Sequence, residues 1–280
     1  MFFMIEDAFI DAVKILPFLF LTYLVIEYIE HKNDDKVKNF LKRSSKFGPI
    51  VGSLLGVIPQ CGFSAAASNF YAGKIITLGT LIAVFLSTSD EMLPILISTG
   101  APMKHIIIIL VIKVMIGIVA GVSLDLMFQN TIEFQNGFPS INDLCQRSKC
   151  KCKDGVVKSA AKHAIHIFLF LFLITFILNI AFYYVGDTVI LNSVFEKPII
   201  GELLAGLIGL IPNCGASVLI TQLYVKGVMG FGAMMSGLLV GAGTGLLVLF
   251  KVNKSMKENI RIVILLYIIG VVSGTVIGVL

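Results

Sequence analysis

Charge is scarce in this chain: 14 % of its 280 residues are Asp, Glu, Lys or Arg, only four are His, and tryptophan is absent. Hydrophobic residues make up 57 %, and the mean hydropathy of +0.94 is more than the core of a soluble domain can absorb. A water-soluble fold is excluded and a polytopic membrane protein implied. A basic n-region is missing too. The first apolar stretch, Ile15 to Ile29, follows Glu6, Asp7 and Asp11 and has no small-residue cleavage site after it, so it is expected as the first membrane helix. Neither His-Glu-x-x-His, nor a Gly-x-Ser-x-Gly elbow, nor a P-loop is present, which argues against a membrane-embedded enzyme and against an ATP-driven pump. The net charge of +5 does not point to nucleic acid, because the lysines fall in short loops between apolar spans, where they serve orientation.

What is there is a repeat. "IPQCGFS" at Ile58 to Ser64 returns as "IPNCGAS" at Ile211 to Ser217, 153 residues later. Laid without a gap, Gly48 to Tyr71 and Gly201 to Tyr224 share 9 of 24 positions, including Pro59, Cys61, Gly62, Ser64 and Tyr71 with their partners Pro212, Cys214, Gly215, Ser217 and Tyr224. Gln60 matches Asn213, and the same offset pairs Gly79 with Gly232, Lys104 with Lys257, Gly117 with Gly270 and Gly121 with Gly274. One plan used twice is the mark of many secondary transporters. Residues 1–127 form the first membrane repeat, 128–160 a linker and 161–280 the second repeat.

Apolar runs at 10–30, 76–98, 104–127, 161–185, 230–250 and 258–279 are each long enough to cross a hydrocarbon core of about 30 Å, which predicts six full helices. The motif regions are split by Pro-Gln/Asn-Cys-Gly into apolar pieces of about a dozen residues, too short to span at about 1.5 Å per residue. If each region enters and leaves on one side, 17 of the 22 Lys and Arg residues face a single side; if each crosses once, the bias almost vanishes. The positive-inside rule therefore favours hairpins, with both termini outside and the linker cytoplasmic, although two short full crossings give the same sidedness. The fold expected is an all-α membrane protein with an inverted repeat, each half three full helices plus one broken or re-entrant hairpin, ten apolar helices in all.

Inverted halves let the two hairpin tips meet near the midplane. Irregular backbone is tolerated at that depth only where it is buried in protein or lines a wet cavity, so Pro59, Gly62, Pro212 and Gly215 are expected to shape a substrate site. The plainer reading is two packing kinks. "FLSTSDEML" adds Asp90 and Glu91 inside an apolar run, where carboxylates are costly and usually functional. Lys113 lies at matching depth in the next span, as an ion-pair partner or a fixed bridge. The second-half equivalent of "TSDE" is "GAGT", Gly241 to Thr244, followed by Gly245, which suits close packing or exposed carbonyls. The candidate substrate ligands are Gln60, Cys61, Ser64, Asp90, Glu91, Asn213, Cys214 and Ser217: oxygen donors suit harder divalent ions such as Mn²⁺, and thiolates suit thiophilic species. The linker sequence "DLCQRSKCKCKDG" holds Cys145, Cys150 and Cys152 at a spacing that is no standard zinc pattern, and reads better as a solvated basic linker than as an accessory metal site. Val37 to Phe47 reads as an interfacial helix.

"GVIPQCGFSAAASNFYAG", "FLSTSDEMLPILIS", "GLIPNCGAS" and "GLLVGAGTGLLVLFKVN" resemble, over almost the whole chain, the ten-helix heavy-metal exporters, also described as arsenic-efflux-like or manganese transporters. The resemblance implies a membrane metal transporter that works as an exporter; no permanently bound cofactor is expected. Its rival within that class is an arsenite or organoarsenical permease, which needs Cys61 and Cys214 but not the acidic pair. Protons are the candidate coupling ion, the bilayer is the obligate surrounding, and the small residues Gly117, Ala120 and Gly121 would allow close contact within a subunit or in a homo-oligomer.

Overall fold

The computed structural model describes residues 47–58, 61–89, 92–128 and 199–279, with isolated positions between 13 and 24 and between 165 and 173. Apart from those isolated positions and Phe47, the spans expected at 10–30 and 161–185, the interfacial helix, the linker cysteines, Pro59, Gln60, Asp90 and Glu91 lie outside the described residues. Among the described residues every regular element is helical: α1 Gly48–Gly56, α2 Cys61–Ala72, α3 Leu78–Ser87, α4 Met92–Ser98, α5 Met103–Met127, α6 Ile200–Gly209, α7 Cys214–Val225, α8 Phe231–Val240, α9 Thr244–Val252 and α10 Met256–Val279.

The motif regions divide as their composition requires. α1 and α6 have 9 and 10 residues and α2 and α7 have 12 each, so none exceeds roughly 18 Å at the helical rise. In two places the structure corrects the sequence reading. The runs at 76–98 and 230–250 are not continuous helices: the first stops at Ser87 and resumes at Met92, the second stops at Val240 and resumes at Thr244. Hydropathy over a window sees apolar side chains and not backbone direction, and these breaks are made by Ser, Thr and Gly, which hardly lower the average. Each broken pair still covers enough length to cross a bilayer, as α5 and α10 do uninterrupted, giving four candidate spans among the described residues.

The same packing occurs in both halves. α1 lies on α3 and α5, and α6 lies on α8 and α10; α3 crosses α5 as α8 crosses α10. The glycines that recur at the 153-residue offset meet one another at these crossings. A Cβ on Gly121 would lie 2.6 Å from the Gly79 carbonyl oxygen, and one on Gly274 would lie 2.8 Å from that of Gly232, closer than a side chain can approach backbone. The halves join through an exchange: α2 packs on α9 and α7 on α4. Arg261 on α10 sits 4.3 Å from the ring of Phe128, which follows α5 directly, so α10 begins where α5 ends.

The starts of the two broken spans are each met by an acid, but from different helices. In the first half Asp125 of α5 accepts from the Gly79 amide at 2.9 Å and from the Thr77 hydroxyl at 2.7 Å. Position 278, the counterpart of Asp125, is glycine, and Glu202 of α6 fills the space instead: its Oε1 lies 3.0 Å from where a Cβ would stand on either Gly232 or Gly278. Glu202 is buried, and its Oε2 has no hydrogen-bond partner.

The outward faces of the long helices are apolar. Ile107, Val111, Met115 and Val119 on α5, and Ile260, Ile264, Ile268, Val272 and Val276 on α10, are all exposed at four-residue spacing. A stripe of that length suits lipid rather than water. Together with the four candidate spans, it describes an all-α, multi-pass membrane protein.

Replacing Gly121 or Gly274 with leucine should lower the melting temperature in detergent by several degrees, reflecting overpacking of about 1–3 kcal/mol. Gly230→Ala, where no atom lies within 4 Å of a new Cβ, should leave it unchanged. Equal behaviour of all three variants would show that the crossings are not tight.

Candidate functional site

The two breaks are built differently. Ser87 and Thr88 end α3 by turning their hydroxyls back on the Ala83 and Val84 carbonyl oxygens, at 2.8 and 2.7 Å, and Thr88 takes an extended ψ of 128°. Such bonds compete with the helical ladder and bend it. In the second half, Gly241 leaves the helix at ψ 93°, and Gly243 adopts φ 52° and ψ −140°, a backbone state open to glycine at little cost. Ser89 then donates to the Val57 carbonyl oxygen at 2.8 Å, tying the first break to the residue that closes α1.

Lys113 is the side chain that joins the breaks. It is completely buried, and its ammonium donates to the carbonyl oxygens of Thr88, at the end of α3, and Leu238, in the last turn of α8, the latter at 2.8 Å. Both acceptors sit at helix C-termini, where the macrodipole is negative and carbonyls lack helical partners. One cation from α5 thus satisfies groups in both halves. Its counterpart at the repeat offset is the buried Leu266, so the arrangement is not duplicated. The expected pairing of Lys113 with Asp90 involves a residue outside the described ones.

A small cavity, of about 10 Å³, opens beside these carbonyls and holds little more than one water. Thr88, Ser89 and Met92 wall it from the first half; Asn213, Ala216 and Ser217 from the start of α7 in the second; and Gly209, Gly237, Leu238, Gly241 and Gly243 complete it. Asn213, Ser217, Gly241 and Gly243 were expected at a site from the sequence, and the fold brings them to one cavity. Asn213 is almost fully buried and stands in extended backbone as the cap residue of α7. Ser64 is elsewhere: it is buried against Gly245, whose Cβ would come within 2.8 Å of it, so both residues serve the contact of α2 with α9. Ser68 strengthens that contact by donating to the Gly245 carbonyl oxygen at 2.7 Å.

Cys61 and Cys214 begin α2 and α7, with Gly62 and Gly215 next in the first turns; the two thiols, like Gln60, Asp90 and Glu91, are outside what is described. Among the described residues no three His, Cys, Asp or Glu side chains converge on a point. The described donors around the cavity are therefore hydroxyls, one amide, backbone groups and the Met92 thioether, a set in which hard oxygen donors outnumber a single soft sulfur. Sequence reasoning passed over the parts played by Thr88, Ser89 and the Leu238 carbonyl. Consecutive hydroxyls ahead of Asp90 were a signal for the first two; a backbone carbonyl leaves none.

Lys113→Met should cost about 2–4 kcal/mol, because two buried carbonyls lose a charge-assisted partner. Thr88→Ala, which keeps the carbonyl that Lys113 uses, should cost about 1 kcal/mol or less. Thermal unfolding in detergent compares them, and a Thr88→Ala loss equal to that of Lys113→Met would refute the capping role.

The family described as "Putative, 10TM heavy-metal exporter" matches residues 1–199. The match holds Gln60, Cys61, Asp90, Glu91 and Lys113 and ends just before α6, so it is shorter than the nearly full-length resemblance read from the motifs. No curated protein and no solved structure matches the chain. A match over most of the chain, on a bundle of apolar helices broken around a polar cavity, makes this protein a member of that ten-helix heavy-metal exporter family.

Proposed function

We propose that the protein is a secondary transporter that exports a divalent heavy-metal cation, with Mn²⁺ the favoured substrate, by alternating access at the cavity between the two breaks. The observation that carries this reading is the cavity itself: a polar space lined by interruptions of helices from both halves, the position where transporters with repeats hold their cargo. Hydroxyl and amide oxygens from Thr88, Ser89, Asn213 and Ser217 are ligands for a hard ion that must leave again. Asp90 and Glu91, two residues beyond Thr88 and onward, supply the negative charge that outweighs Lys113, and one of them takes up or releases the coupling proton. Cys61 and Cys214, at the first positions of α2 and α7, complete the ligand set.

The inverted repeat belongs to this proposal. It is supported by the equivalent pairings of α1, α3 and α5 with α6, α8 and α10, and by α10 beginning where α5 ends. With each broken pair counted as one span, and one further span expected in each half at 10–30 and 161–185, the number of apolar helices is ten. On this topology Lys74, Lys257 and Arg261 lie at the cytoplasmic end, and Lys104 and Lys226 at the outer end.

The test is Mn²⁺ flux into proteoliposomes under an imposed pH gradient, read by an internal metal-sensing dye. Flux should follow the gradient, vanish in the Asp90→Asn, Glu91→Gln double variant, and fall at least about tenfold in Asn213→Ala, the loss of one inner-sphere ligand. Folded protein that moves no divalent ion, but moves arsenite in a manner dependent on Cys61 and Cys214, would replace the metal reading with the arsenical one.

A further inference from the structure

Tyr71 and Tyr224 hold one position of the repeat, near the ends of α2 and α7 that point away from the breaks. Each bonds across to the other half. The Tyr71 hydroxyl donates to Glu258 in the first turn of α10, and the Tyr224 hydroxyl lies 2.9 Å from Nε2 of His105 in the first turn of α5. His105 and Glu258 are themselves 153 residues apart, so the two contacts are counterparts although their partners differ in chemistry. The contact is retained while the residue is not.

Both contacts are reinforced locally. Glu258 also accepts from the Asn253 amide at 3.3 Å and lies 3.9 Å from Nζ of Lys74, which stands 5.8 Å from the centre of the Tyr71 ring. Lys74 reaches there from a left-handed backbone, φ 58°; the equivalent position in the second half is Gly227, φ 73°. At the other site the His105 and Tyr224 rings stack with centroids 6.4 Å apart, and Phe231 meets His105 edge-on at 5.7 Å.

The sites are at opposite ends of α5. His105 is in its first turn, whereas Arg261, one turn from Glu258, covers Phe128 just past its last. Along the helix that is about 35 Å, enough to cross a hydrocarbon core of about 30 Å. The cavity lies between them, beside Lys113 near the middle of α5. The inner parts of α2 are held to α9 through the Gly245 contact and Ser68, whereas its far end reaches α10 through the Tyr71 side chain.

We propose that Tyr71–Glu258 and Tyr224–His105 are paired latches that close the two ends of the substrate route, each of which must part for the cavity to open on its own side. The residues are positioning residues: they bind no substrate but set which end is closed. The proposal rests on the alternating-access reading. With both latches made and little space between them, this conformation is closed at both ends. Removing one latch destabilises only the states closed at that end, so the population shifts toward opening there and away from opening at the other.

The test reports access without transport. In the full chain with all five native cysteines changed to serine, Ser217→Cys on the cavity wall is labelled by a membrane-impermeant maleimide, from each face separately, in right-side-out and inside-out vesicles. Tyr71→Phe should raise the labelling rate from the Glu258 face on the order of tenfold and lower it from the His105 face, the effect of losing a charge-assisted hydrogen bond. Tyr224→Phe should do the reverse by a smaller factor, and the double variant should return toward the parent ratio. Should either phenylalanine variant fail to accumulate, Glu258→Gln and His105→Phe carry the same expectations. Folded variants whose labelling ratio does not move, or moves the same way for both tyrosines, overturn the latches; a lowered melting temperature with an unmoved ratio marks a merely structural role. With flux measured separately in the chain that keeps its native cysteines and Ser217, reciprocal labelling shifts without Mn²⁺ flux would sustain the latches and overturn the metal reading, and intact flux with unmoved ratios would do the opposite.

Discussion

Backbone that stops being helical inside a bilayer must find its hydrogen-bond partners within the protein, since each orphaned group there costs several kcal/mol. Everything at the centre of this fold answers that demand. Ser87 and Thr88 spend their hydroxyls on the last turn of α3, Ser89 reaches the end of α1, and Lys113 supplies one ammonium to the ends of two helices from different halves. A buried lysine is expensive when its charge is unmatched. Here the charge lies among helix C-terminal carbonyls, and the expense of the cation and that of the breaks offset one another. The cavity exists because the breaks exist, and the breaks persist because they are partnered.

Two kinds of contact then divide the molecule. Within each half, α3 against α5 and α8 against α10 meet through glycines at near-backbone distance, a fit with no slack. Between halves, α2 and α7 reach across to the other half's broken span, and their far ends are held by small side-chain clusters centred on Tyr71–Glu258 and Tyr224–His105, at the first turns of α10 and α5. A tight frame and short arms tied at their far ends are the parts that the proposed alternating-access cycle would use, and each can be assigned to named helices.

Much of this was legible in the chain itself. The recurrence of Pro-Gln/Asn-Cys-Gly located both short helix pairs, because a proline, an amide and a glycine returning together in apolar surroundings mark a bend rather than a span. The recurring glycines marked the crossings, and Lys113 stood out as a cation in a span. The breaks after Ser87 and after Val240 escaped notice because Ser, Thr, Ala and Gly read as small and neutral to a hydropathy window, while their effect comes from hydroxyl back-bonding and a positive φ. The latches escaped for a different reason: Tyr71 and its partner are 187 residues apart, Tyr224 and its partner 119, and nothing local links them. The tyrosines recurred in plain view, but their partners did not share a residue type.

Asp125 and Glu202 show how two halves of one plan drift apart. At the start of each broken span a single acid is present, brought from α5 in one half and from α6 in the other, with Pro49 and Gly278 at the vacated positions. Passing from one solution to the other takes two changes, and the chain between them carries either no acid at that helix start or two pressed together. A protein assembled from two copies of the first half would share the outline of this one, but it would carry its acids in a different pattern: the chain is bilateral in its backbone and handed in its charges.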